Sequence, residues 1–127
     1  MGKVRPRDTE PERILRSSLH AFGFRYRLHV RTMPGCPDLV FPGRKKVIFV
    51  HGCFWHLHAR CNQGHPPKTD LTYWKPKLEA NRHRDLRNIR ALRSSGWRVL
   101  VIWSCSLRSK SKREHAIRSA IAFLEKD

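Results

Sequence analysis

Val47, Ile48, Phe49 and Val50 form a run of β-branched and aromatic residues with no polar break, a pattern that reads as a strand buried in a sheet. The run opens the segment KVIFVHGCFWHLHARC, residues 46–61, and stops at a dense polar cluster. His51, Cys53, His56, His58 and Cys61 follow within a few positions, with Phe54 and Trp55 just after Gly52. Imidazoles and thiols packed so closely at a strand end suit metal chemistry. Two adjacent aromatics in a basic chain suit contact with bases. One end of the segment is therefore expected to carry hydrolysis and the other to hold DNA.

A chain of 127 residues fits one modest domain, expected over 1–127. Lys and Arg outnumber Asp and Glu 27 to 10, for a formal charge of +17. Such an excess repels itself in a compact fold and points to a polyanionic partner, nucleic acid before all others. An anionic membrane surface would call for an amphipathic basic helix or a lipidation signal, and neither is evident. The opening MGKVRPRDTEPER lacks the apolar core of a secretion signal, so a cytoplasmic location is expected. In that reducing compartment Cys36, Cys53, Cys61 and Cys105 favour metal binding over disulfides.

Along the chain, residues 1–8 read as a mobile basic arm. Asp8 or Thr9 caps a first helix; Thr9 and Glu12 have capping-box spacing, and Ile14, Leu15, Leu19 and Phe22 give it an apolar face before Gly23. Phe24, Tyr26, Leu28 and Val30 alternate with Arg25, Arg27 and His29, the pattern of a half-exposed strand. After a turn at 33–37, Asp38 to Phe41 resumes a strand, Pro42 to Lys45 turns, and Lys46 onward supplies the next, an antiparallel meander. Residues 61–72 read as a loop. A long helix is expected from about Trp74–Pro76 to Ser94, with Leu78, Leu86, Ile89 and Leu92 facing the core and Lys77, Asn81, Arg84 and Asn88 on another face. Trp97 to Trp103 is a strongly apolar strand, and a basic linker at 108–113 precedes a last helix carrying Ile117, Ala120, Ile121 and Leu124. The order is α-β-β-β-α-β-α.

Two constellations carry chemistry. Asp38 opens a buried strand, and the hairpin brings it near the end of the next strand at Val50 and His51; a carboxylate, a strand carbonyl and waters held by an imidazole would take a hard cation such as Mg²⁺. The bland alternative for Asp38 is a turn residue. Cys53, His58 and Cys61 supply three soft ligands, and Cys105 is placed to be the fourth of a closed, structural Zn²⁺ site. His56 is the alternative histidine ligand, and spacing does not choose between them. Phe54 and Trp55 have an ordinary core alternative, Lys77, Asn81 and Arg84 a solvated helix face, and Glu12 a capping role.

Thr9-x-x-Glu12, Pro34-Gly35-x-Pro37-Asp38, VIFVHGCFWH, Trp74 with Lys77 and Asn81, Arg84-Asp85 and GWRVLVIW-x-C together resemble the very-short-patch mismatch repair endonucleases of bacteria, over roughly Asp8 to Leu107. The resemblance implies a restriction-endonuclease-like fold, a central mixed β-sheet flanked by helices. It implies structural zinc and Mg²⁺-dependent nicking beside a T:G mismatch left by deamination of 5-methylcytosine. Carried over by position, Asp38 and the Val50 carbonyl would hold Mg²⁺, His51 and Glu12 would orient waters around it, and His56 would be the general base. His58 would then join Cys53, Cys61 and Cys105 on zinc. Phe54 and Trp55 match the aromatic wedge and Lys77 and Asn81 match positions that read the mispair; Arg84, and Arg5 and Arg7 of the basic arm outside the resemblance, are expected to contact DNA. The arm before Asp8 is shorter than is usual in that family, and Cys36 reads as a free thiol near the active site. The expected partners are double-stranded DNA with a T:G mismatch and accessory repair proteins, the expected state a nucleoid-associated monomer. The competing functions are a DNA-binding protein without catalysis that recognises distorted duplex, and a less selective nicking nuclease of the same fold.

Overall fold

The structure is a computed structural model that describes residues 10–53 and 71–126. Helix α1 (Glu10–Ala21) leads into strands β1 (Arg27–Leu28), β2 (Leu39–Phe41) and β3 (Lys46–His51), followed by α2 (Leu71–Ser94), β4 (Arg98–Trp103) and α3 (Lys110–Glu125). Short 3₁₀ turns at Pro42–Arg44 and Ser104–Leu107 complete the set. The element order is the one expected.

The sheet runs β1-β2-β3-β4. Its first three strands form an antiparallel meander, with Leu28 opposite Leu39 and Leu39 opposite Ile48. The fourth lies parallel to β3, with Val47 opposite Val99 and His51 opposite Trp103. A parallel neighbour demands a crossover, and α2 lies in that connection. Both faces of the sheet are covered. Leu39, Phe41, Ile48 and Ile102 pack with Leu15 and Leu19 of α1 and Ala116, Ala120 and Leu124 of α3. Val40, Val47, Phe49 and Val99 pack with Leu92 of α2. Double coverage is why β3 reads as a continuous apolar run and not as an alternation.

The sheet is locked to α3 by a device the sequence did not announce. Lys46 is buried, and its ammonium donates to the carbonyls of Phe123 (2.7 Å) and Leu124 (3.0 Å) and also to that of Lys126. Arg44 donates to Leu124 as well, at 3.0 Å. The last carbonyls of a helix have no partner within it, and a cation there also meets the negative end of the helix dipole.

Several local expectations are corrected. The first strand is confined to Arg27–Leu28, because His29 adopts φ 47 and turns the chain, and Leu28 is exposed. Phe22 is 66% exposed: α1 has already ended at Ala21, so helical spacing no longer aims it at the core. Leu86 is 50% exposed because it sits off the stripe that buries Leu78 and Leu92. Helix α2 starts at Leu71, ahead of the expected boundary, and carries Pro76 in its second turn at the loss of one backbone hydrogen bond. The basic linker shortens, since Ser109 caps α3 by accepting from the Lys112 N–H at 3.3 Å. No helix among the described residues is long and apolar enough to cross a membrane.

Candidate active site

The turn at 33–37 delivers Asp38 to the edge of the sheet. Gly35 sits at φ +77, and a Cβ there would stand 3.1 Å from both the Phe49 ring and the Cβ of Asn88. The turn is thus pressed between β3 and α2, where only glycine fits without displacement. Cys36 follows at φ 49, a half-buried free thiol two residues before Asp38 in the chain. Left-handed backbone at a non-glycine residue costs about 1–2 kcal/mol, and such strain gathers where surrounding contacts impose it.

Asp38 is 8% exposed and its Oδ2 accepts the Val50 N–H at 2.7 Å. A charge-assisted bond of this length fixes the carboxylate at the end of β3. The expected meeting of Asp38 with the Val50–His51 corner is therefore made through the Val50 amide. Glu12, 2% exposed, reaches the same place from α1. Its Oε2 accepts from Arg16 Nη1 at 2.9 Å and lies 2.9 Å from His29 Nε2. The Tyr26 hydroxyl donates to the Arg16 carbonyl at 3.0 Å and so ties α1 to the start of β1. Glu12 is thus more than a helix-capping side chain; its partner in the supposed capping box, Thr9, lies outside the described residues.

His29 is the residue sequence reasoning passed over. Its Nε2 stands 3.9 Å from Asp38 Oδ1, and its backbone N–H donates to the Asp38 carbonyl at 3.1 Å. Ligand atoms of Glu12, His29 and Asp38 all lie within 4.8 Å of one another. The alternating strand pattern puts His29 on the solvent side. The available signal was the hairpin register: Leu28 pairs with Leu39, so the next pair outward is His29 with Asp38.

His51 ends β3 and is 3% exposed, its ring 5.4 Å from that of Phe49 and 5.3 Å from that of Trp103. Cys53 is buried, with Sγ 3.5 Å from Ser104 Oγ, which places it beside the segment that carries Cys105. On α2, Arg84 donates to Asn81 at 3.0 Å and the Lys77 ammonium lies 4.9 Å from the Tyr73 ring. Asn81 is seven residues from Asn88, against which the Gly35 turn packs, so both fall on one half-buried face of α2, with Lys77 and Arg84 exposed beside it. Arg5, Arg7, Phe54, Trp55, His56, His58 and Cys61 lie outside the described residues.

Two buried carboxylates this close repel each other unless cations or hydrogen-bond donors intervene; Arg16 and His29 both lie against Glu12. Opposite ligands of Mg²⁺ stand roughly 4.2 Å apart. Carboxylate oxygens of Glu12 and Asp38 within 4.8 Å of each other leave room for one such ion and its water between them. The oxygen-rich donor set fits a hard cation.

A mixed sheet covered by helices on both faces, with buried carboxylates at one strand end in a chain of charge +17, defines the class of restriction-endonuclease-like α/β nucleases. The family described as DNA mismatch endonuclease Vsr matches residues 1–63. The type II nicking enzyme V.XorIIP of Xanthomonas oryzae is 50% identical over 95% of this chain and 88% of its own length. The DNA mismatch endonuclease Vsr of Escherichia coli is 41% identical over 88% of this chain and 71% of its own, and the nicking enzyme V.NmeAIP of Neisseria meningitidis 40% identical over 87% and 79%. The chain belongs to the Vsr family of DNA mismatch endonucleases.

Proposed function

We propose that this endonuclease uses Mg²⁺ to nick one strand of a DNA duplex beside a T:G mismatch left by deaminated 5-methylcytosine. The observation that carries the chemistry is Asp38, fixed by the Val50 N–H at the sheet end with Glu12 and His29 against it. Asp38 and the Val50 carbonyl would hold Mg²⁺, which would supply positive charge to the scissile phosphate and to the leaving oxygen. Glu12 and His51 order water at that corner. His56 accepts the proton of the attacking water, a task an imidazole performs near neutral pH.

Specificity is assigned to the aromatic pair and this part of α2. Phe54 and Trp55 wedge into the base stack at the mispair, where opening a step costs a few kcal/mol, roughly, and less than at a matched pair. Lys77 and Asn81 read the mispair; Arg84, Arg5 and Arg7 contact phosphates. Cys53, His58, Cys61 and Cys105 hold a structural Zn²⁺ that pins the wedge-bearing segment, a reading supported by the approach of Cys53 to Ser104, the neighbour of Cys105. The protein acts as a monomer at the nucleoid, with accessory repair proteins as further partners.

The test is a nicking assay on matched and T:G duplexes of one sequence, in Mg²⁺ and in EDTA. The reading predicts a single cut in one strand, beside the mismatch, only with Mg²⁺. Equal nicking of both duplexes contradicts the mismatch reading and marks a less selective nuclease. Binding to the T:G duplex with no cut in Mg²⁺ or Mn²⁺ contradicts the catalytic reading.

A further inference from the structure

His29 has no task in the chemistry set out above, yet it touches both carboxylates. We infer that His29 is a positioning residue: its Nε2–H holds the Glu12 carboxylate in place beside Asp38, so that Glu12 can order the metal's water and set how tightly the site takes a divalent cation. The inference rests on the proposed metal site and adds a determinant to it.

Three observations converge. A carboxylate oxygen only accepts, so the 2.9 Å bond to Glu12 Oε2 puts the hydrogen on His29 Nε2. With Arg16 donating to the same oxygen, two donors fix the plane of the Glu12 carboxylate. The nitrogen that donates also stands 3.9 Å from Asp38 Oδ1, so a positive edge lies between two groups that repel. Finally, backbone and ring act together: the His29 N–H bonds to the Asp38 carbonyl at 3.1 Å while φ 47 turns the side chain inward. A nitrogen already donating has no lone pair to offer a metal, and Mg²⁺ prefers oxygen. His29 therefore acts through Glu12, as hydrogen-bond partners in the outer shell of metal sites commonly do.

Two variants separate the ring from the backbone. His29→Asn suits the left-handed backbone and falls short of Glu12; His29→Gln returns an N–H donor to the place of Nε2. Binding of Mn²⁺ is measured directly, by the spin-resonance signal of the free ion, on the full chain without DNA, and the Mg²⁺ concentration for half-maximal nicking is measured alongside. The Asn variant is expected to bind Mn²⁺ on the order of 10-fold more weakly, with the nicking curve moving in proportion. The Gln variant recovers most of both losses. In a Glu12→Gln background, His29→Asn adds little further loss. Both variants binding as the wild type does, both losing equally, or full additivity with Glu12→Gln overturns the positioning role. Wild type that binds no Mn²⁺, or Asp38→Asn that binds it as tightly as wild type, overturns the metal site itself and this inference with it.

Discussion

The carboxylate of Asp38 accepts a 2.7 Å hydrogen bond from the backbone N–H of Val50, so the acid at the mouth of one strand is oriented by the amide of the next. That single bond converts a turn residue into a fixed corner of the sheet. The turn that carries it, the helix that brings Glu12 and the backbone twist at His29 are arranged around it.

The turn is the first place to test. Gly35→Ala forces a Cβ into the Phe49 ring and Asn88 at a backbone angle that alanine avoids. It is expected to lower stability by about 1–3 kcal/mol in urea unfolding and to reduce nicking even where the protein remains folded, because Asp38 moves with the turn. Unchanged unfolding and activity would show that the turn has room to spare.

Lys46 gives a contrasting case, structural and remote from the acidic corner. Lys46→Met takes the ammonium away from the Phe123 carbonyl and leaves the Leu124 carbonyl with Arg44, and bonds to a charged group are worth about 1.5–3 kcal/mol. Urea unfolding is expected to show a loss of that size, with the nicking rate of the folded protein preserved.

Much of this was legible in the sequence, for physical reasons that differ by element. The strand Lys46–His51 was plain because a sheet covered on both faces demands an unbroken apolar run. Glu12 and Asp38 meet at one site in the family resemblance, as they do in the fold, and the hairpin brings Asp38 to Val50 as the pattern implies. What periodicity could not convey was where it stops. Phe22 and Leu28 were assigned to buried faces by patterns that end at Ala21 and at His29, and Leu86 by a spacing that wanders off the stripe of Leu78 and Leu92. His29 was missed because a period of two has no symbol for a left-handed residue. Lys46 was missed because a buried lysine is legible only once the helix end it caps is in place.

Two residues of α2 carry the next prediction. With Arg84 on a phosphate, log binding constant falls steeply with log salt and Arg84→Ala flattens the slope by about 0.9, whereas Lys77→Ala, at a residue that reads the mispair, lowers the preference for the T:G duplex over the matched one. An unchanged slope in the first variant and an unchanged preference in the second would remove them from the interface.

Zinc is checked by metal analysis of the purified chain. The proposed Cys53, His58, Cys61 and Cys105 site predicts about one zinc per chain, and Cys53→Ser or Cys105→Ser should lose it and unfold at lower temperature, since such sites contribute on the order of 10 kcal/mol in small peptides. Zinc-free protein with an unaltered melting curve would contradict the assignment.

The most direct test of the whole account is the single-turnover rate at which wild type and Asp38→Asn nick a T:G duplex in Mg²⁺, with melting curves recorded for both. Asparagine keeps an acceptor for the Val50 N–H and removes the charge. The account predicts an unchanged melting curve and a rate lower by about 10³-fold. A variant that cuts within a few-fold of wild type would place the chemistry elsewhere in the molecule.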